Sequence, residues 1–162
     1  MNENTISQIV SQVVSDVRKS TETKCITLSQ ARRLIAKVEE KAAQIGVKAV
    51  VAVTNTAARP VAIECMDDSF IASYDVALNK AFTVVALKMS TIELKSLTKP
   101  GDSLYGIQFT NDGKIVVFGG GDPLRYNGNI IGGLGVSGGT EEQDTTLSAY
   151  GASVLSEIMK GD

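Results

Sequence analysis

The chain has 162 residues, 43% of them hydrophobic and 21% charged, with a formal net charge of −2, which fits a single globular domain able to bury its own core. Basic residues scattered on a net acidic chain argue against a nucleic-acid footprint. No apolar run approaches the ~20 residues that cross a bilayer, and "MNENTISQ" lacks an export signal, so a cytoplasmic protein with no membrane partner is expected. There is no histidine, which removes Ser-His-Asp and Cys-His nucleophilic machinery and imidazole-bound zinc or haem, leaving carboxylates, Lys, Tyr and Cys for any acid–base work.

In chain order, Ile6, Ile9, Val10, Val13, Val14 and Val17 recur at helical spacing and predict an N-terminal amphipathic helix within residues 1–20, which "STETKC" breaks. "TLSQ" then opens a second helix. Thr27 is placed to cap it and Gln30 to reach back. Leu28, Ala31, Leu34, Ile35, Val38, Ala42 and Ile45 form its inner face, and Gly46 ends it. The lone thiols Cys25 and Cys65 lack any CxxC partner and read as reduced, packed residues.

"KAVVAVTN" and "PVAIECM", joined by "TAAR", read as an antiparallel hairpin. Residues 70–89 have the length and period of a helix. Asp75, Asn79 and Thr83 form its narrow polar strip, and the apolar remainder requires cover on two sides, by a sheet and by another helix or subunit. Of the 15 glycines, 12 lie between Gly101 and Gly139. That half reads as strands "LYGIQFT", "KIVVFGG" and "NIIGGLGVSGG", with a "TNDGK" hairpin turn and a "GGDP" corner. Thr140 to Met159 closes the chain as a helix with Leu147, Tyr150, Val154, Leu155 and Ile158 inward. Hairpin-clustered strands with helices packed on them make an α+β fold, an antiparallel sheet in one domain over residues 1–162.

"GVSGGTEEQD" raises the question of a phosphate-cradling loop. Thr140 and Gln143 form a capping pair, but Glu141, Glu142 and Asp144 in the first turn already complement the helix dipole and repel a phosphate. No Gly-Lys-Ser/Thr follows. The stretch therefore reads as a strand-to-helix corner whose carboxylates can also meet a ligand or a neighbouring subunit's cation.

Candidate ligand-binding residues follow from chemistry at exposed corners and on the apolar helix. Lys80 leads, because an ammonium on a mostly apolar helix either finds a partner or acquires a depressed pKa, or else snorkels its head to water. Met66 and Asp67, just before that helix, can line the same cleft, although "MDDS" also suits a cap with Ser69 or Asp68. Gly120 and Gly121 in "GGGDPL", flanked by Tyr105 and Tyr126, permit close backbone approach. Gly138, Gly139, Thr140, Glu142 and Asp144 complete the set, with Glu142 expected to face a cleft shared with Lys80 of the same or a neighbouring subunit. No metal site is expected.

"SLYGIQFTNDGKIVVFGGGDPL", "IIGGLGVSGGTEEQD" and "MDDSFIASYDVALNKAFTVVALKM" together resemble the GlcG/HbpS-like haem-degrading domain family, including the C-terminal domain of PduO-type proteins, over about Thr27 to Leu155. The resemblance implies a profilin-like sheet of about five strands between helices, and homo-oligomers. It also implies haem or corrinoid binding, haem degradation, or an accessory role in glycerol, diol or glycolate utilisation. The chain departs from the family pattern at "TNTAARPVAIECMDD", where Asn55, Ala58 and Cys65 stand near an Asp-x-x-Gly turn and an Arg that many relatives carry.

Three functions follow as expectations. The first is a non-catalytic accessory protein binding haem, corrinoid or a small diol or hydroxy acid. The second is an enzyme of haem degradation or small hydroxy-compound metabolism using Lys80 and carboxylates. The third is a structural or chaperone-like oligomer partnering a cobalamin-dependent dehydratase. With no histidine, haem iron would need Met66, Cys65, Lys80 or a tyrosine as ligand, or no axial ligand.

Overall fold

The computed structural model describes residues 3–21 and 25–160; within the first segment, side chains are described for residues 5–14. Helix α1 (Glu3–Thr21) runs one residue past the expected break, and the side chain of Val17 lies outside the described ones. Helix α2 (Leu28–Gln44) starts as its sequence dictates. The Gln30 amide donates to Thr27 Oγ1 at 3.2 Å and the Thr27 amide to Gln30 Oε1 at 2.9 Å, a reciprocal box that satisfies two orphan donors. It ends at Ile45, followed by Gly46 at φ +72°. Leu28 and Ile45, expected on the inner face, are exposed at the helix ends.

Strands β1 (Val50–Thr54) and β2 (Pro60–Cys65) form the expected hairpin, with Val50 opposite Cys65. The Asn55 carboxamide accepts the Ala57 and Arg59 amides at 2.9 and 3.1 Å, and Ala58 occupies a left-handed conformation at φ +56°. Strands β3 (Gly121–Tyr126) and β4 (Asn129–Ser137) complete one antiparallel sheet in the order β2-β1-β4-β3. All five residues of β1 are buried, as a continuous apolar run must be when both sheet faces are covered.

The α+β, antiparallel architecture holds, but the sheet has four strands where about five were expected. "LYGIQFT" and "TNDGK" form turns and two short 3-10 segments, Ile107–Phe109 and Asn111–Gly113, with Asn111 and Asp112 at positive φ. "KIVVFGG" does not pair as a strand. Instead Thr83 Oγ1, on helix α3 (Ser73–Leu87), accepts the Val116 amide at 3.0 Å, donates to the Asn79 carbonyl at 2.7 Å and lies 3.3 Å from the Lys114 carbonyl. A side chain thus supplies what a strand neighbour would have. Of the "GGDP" corner, Gly121, Asp122 and Pro123 lie inside β3, and Gly120 precedes it at φ +110°. The real hairpin turn is Asn127-Gly128, at φ +49° and +79°, the paired left-handed conformation of a tight two-residue turn.

Two helices cover one sheet face. Leu34, Ile35 and Val38 of α2 and Leu147 and Leu155 of α5 (Glu141–Lys160) pack on Val51, Val53, Leu134 and Val136. Helix α3 covers the other face through Ala77 and Ala81 on Val50 and Ala52. Alternation along β4 explains its glycines: Leu134 and Val136 serve the first face, while Gly133 and Gly135 lie under α3. A Cβ at Gly135 would strike the Ala77 carbonyl and the Ala81 amide, so the helix backbone rests directly on the strand. A short helix α4 (Thr91–Lys95), boxed by Ser90 and Glu93, follows α3.

Helix α3 begins three residues later than expected. Neither Ser69 nor Asp68 caps it: its first residue follows Ala72 without a side-chain cap, and the Asp68 carboxylate pairs instead with Lys48 at 2.6 Å. Phe70 and Ile71 therefore sit in a turn, 71% and 97% exposed.

Candidate functional site

Lys80 is fully buried, the largest side chain so enclosed. Its Nζ donates to Asp144 Oδ2 and to the Val136 carbonyl, both at 2.8 Å, and lies 4.9 Å from the centre of the Phe118 ring. Burial pulls its pKa below the ordinary lysine value, opposed by the Asp144 carboxylate and, more weakly, by Glu141. The pair therefore ties three elements together: α3, the end of β4 and the first turn of α5.

Gly120 makes this arrangement possible. It holds φ +110°, and a Cβ there would meet Lys80 Nζ, Asp144 Cβ and the Val136 carbonyl. Gly121 donates its amide to Thr91 Oγ1 at 2.9 Å. The other oxygen of Asp144 accepts the Gly139 amide at 2.9 Å, and Glu141 Oε1 accepts the Gly119 amide at 2.9 Å while its other oxygen meets Lys95. Those contacts, the Lys95 hydrogen bond first, hold the Glu141 carboxyl below its ordinary range. Thr140 and Gln143 form the expected box, with the Thr140 amide on Gln143 Oε1 at 2.9 Å.

The structure brings Lys80, Gly120, Gly121, Gly139 and Asp144 into one cluster. Glu142 is outside it: the partner of Lys80 is Asp144, and Glu142 is exposed on the surface beside Ile92 and Lys95. The reason is helical phase, since residues two apart on α5 point about 200° apart. Met66 and Asp67 are also elsewhere. Met66 packs against the α2/α5 side of the core with Sδ 3.3 Å from the Ala49 amide, and Asp67 is exposed. Gly138 backs onto the Lys48 carbonyl and Ala49 Cα.

This difference in surroundings separates two neighbouring glycines. Gly138→Val pushes against backbone and should cost about 2–3 kcal/mol. At Gly139 the nearest obstacles are side-chain atoms, Gln143 Oε1 and Cβ and Val47 Cγ2, rather than backbone, so Gly139→Val should cost less than Gly138→Val, mainly through loss of the Gln143 cap. Urea unfolding of the two variants checks the order.

A second group of residues, not singled out from sequence, lines an open concavity of about 380 Å³ between the β1–β2 turn and the outer face of α3. Leu78 and Phe82, with Pro60, supply apolar floor; Asn79 supplies an amide. Arg59 and Lys114 bring two positive charges, and no carboxylate lines the site. Neither cation has a side-chain hydrogen bond or ion pair among the described residues. Two unneutralised cations over an apolar floor suit a ligand that joins a flat or aliphatic body to carboxylate or phosphate. Of this lining, the sequence places Asn79 on the polar strip of its helix and residues 57–59 in the hairpin connection, without bringing the two together. Lys114 reaches the site through the Thr83 contact, a tertiary event.

Family comparison adds an independent observation: the model of haem-degrading HbpS-like proteins matches residues 26–153. The chain belongs to the HbpS-like family. A 15.0 kDa protein of Citrobacter freundii encoded in the dhaT–dhaS intergenic region is 42% identical over 142 residues, 88% of this chain and 100% of that protein. The corrinoid adenosyltransferase PduO of Salmonella typhimurium is 36% identical over 130 residues, 80% of this chain but 39% of PduO, so the HbpS-like chain spans well under half of that enzyme. The crystal structure of a PduOC–haem complex superposes with a TM-score of 0.76 at 35% identity, covering 80% of this chain and 94% of that one. Among the described residues of this HbpS-like protein, no helix is long and apolar enough to cross a membrane, and no group of three or more His, Cys, Asp or Glu is arranged to hold a metal ion.

Proposed function

We propose that this protein is a haem-binding, non-catalytic accessory module of a glycerol or diol utilisation system, acting in the cytoplasm as a homo-oligomer. The observation that carries the reading is the haem complex of PduOC, a relative 35% identical over most of both chains. The metabolic setting rests on the dhaT–dhaS location of one relative and on the PduO match. Enclosure of Lys80 favours a binding role over catalysis, since a fully buried amine paired with Asp144 meets no substrate.

The concavity beside α3 fits one edge of such a ligand. Arg59 and Lys114 would meet the propionates, and Leu78 and Phe82 the ring face. At about 380 Å³ it sits near the lower end of the ~300–1,000 Å³ typical of ligand pockets, and a tetrapyrrole overfills it. Its lining holds no thioether, thiolate or tyrosine, so any protein ligand to iron on this wall would be the Lys114 amine. Exposed Tyr74, Phe70 and Ile71 lie just upstream of the floor residues on α3, and a second copy closing over them would complete the enclosure.

Titration with haem, followed by absorbance, tests the reading. Arg59→Ala/Lys114→Ala should weaken binding about 10- to 100-fold, the loss expected for two charge-assisted contacts, while Glu142→Gln leaves it unchanged. Absence of any spectral change with haem, or equal affinity in the double variant, would sink the proposal.

A further inference from the structure

The family match begins at residue 26, and among the described side chains of helix α1, residues 5–14, none belongs to either core cluster or lines the proposed ligand site. Ile6, Ile9, Val10, Val13 and Val14 are 44%, 51%, 55%, 53% and 47% exposed. At about 100° per residue they share one arc of roughly 140°. All five are β-branched, which lowers helix propensity, and a 19-residue helix of that kind is marginal in water by itself. Its stability has to come from burying the arc.

We infer that this arc packs against the α1 helices of other copies of the same chain, in a bundle of three or four. Ile6, Val10 and Val13 follow the alternating four- and three-residue spacing of a coiled-coil seam, and Ile9 and Val14 widen it on both flanks. Branched residues at both kinds of seam position, with an apolar margin, favour three or four strands over two. Residue 5 to residue 14, "TISQIVSQVV", contains no charge. Copies therefore approach without repulsion, and no charged strip is present to select an unlike partner. The absence of Lys or Arg there also disfavours an anionic lipid surface. Arg33, Lys37, Glu40 and Glu157 border the chain's own groove between α2 and α5, and the arc from residue 5 to residue 14 offers no charge to pair with them.

The test uses the full chain, a Val10→Lys/Val13→Lys variant in the seam, and a Gln8→Lys/Ser11→Lys variant on the opposite face. Light scattering gives the mass, amide hydrogen exchange reads residues 5–14, and the melting transition confirms that the body stays folded. The seam variant should lose at least threefold in mass and lose protection across α1, while the opposite-face variant keeps both. Unchanged mass and protection in the seam variant would overturn the inference. So would a merely twofold loss, or protection of the unsubstituted chain that appears only with anionic vesicles. None of these readouts involves haem, so this inference and the ligand reading stand or fall separately.

Discussion

Replacing Asp144 by alanine should destabilise the fold by about 3–5 kcal/mol, the usual cost of leaving one member of a buried ion pair without its partner. Lys80 is 0% exposed and Asp144 4%, so solvent cannot substitute for the lost carboxylate. The same change also strands the Gly139 amide. Lys80→Met should cost less than Asp144→Ala, because Asp144 keeps the Gly139 donor. The double change Lys80→Met/Asp144→Leu should recover much of the loss, since apolar replacements of a buried pair are often neutral or better. A double-mutant cycle on these two positions should show strong coupling, and the same cycle on Lys80 and Glu142 should be additive within about 0.5 kcal/mol. Strict additivity at Lys80 and Asp144 would contradict the pairing.

The pH dependence follows from the direction of the Lys80 shift. Its folded pKa lies below 10.5, so between the folded value and 10.5 the unfolded chain binds the extra proton. The stability attributable to this group is then fully present above 10.5 and is lost as pH falls through the folded value. Subtracting the unfolding profile of Lys80→Met from that of the unsubstituted chain should show a difference rising towards alkaline pH.

Gly135→Val should be the second severe change, costing about 3 kcal/mol or more, at the upper end of overpacking effects. Its Cβ would occupy space held by the Ala77 carbonyl and the Ala81 amide, backbone atoms inside a helix that cannot rotate away. The helix would have to lift from the sheet, dragging Lys80 from Val136 and Asp144. Thermal unfolding should therefore show a large loss in Tm, and Gly135→Ala a smaller one in the same direction. By contrast Gly128→Ala, where nothing lies within 4 Å, should lose only what the left-handed turn conformation costs, ~1 kcal/mol. A Gly135→Val protein as stable as the parent would mean that α3 does not rest on β4.

What sequence alone determined was local. Thr27 and Gln30 dictate the start of α2, Thr140 and Gln143 the start of α5, and the β-branched run of β1 its burial, because each depends on neighbours within a few residues. Hairpin-clustered strands gave the α+β class and the antiparallel sheet, and the family resemblance added the profilin-like arrangement of that sheet between helices. Asn127-Gly128 was a legible hairpin signal that the equally strong Asp112-Gly113 and the glycines of "GGDP" obscured. What only the tertiary structure decided was pairing across distance. Apolar alternation in "LYGIQFT" and "KIVVFGG" is compatible with strands, but in the fold Thr83, and not a neighbouring strand, takes the Val116 amide of the second. Lys80 was legible as a cation on an apolar helix, either partnered or reaching to water, and Asp144 and Glu142 differ by only two residues. The turn of α5 against β4 chose between them. Arg59, Phe82 and Lys114 come from a hairpin turn, a helix face and an irregular loop, so their juxtaposition is written in the packing of α3 and in no local pattern.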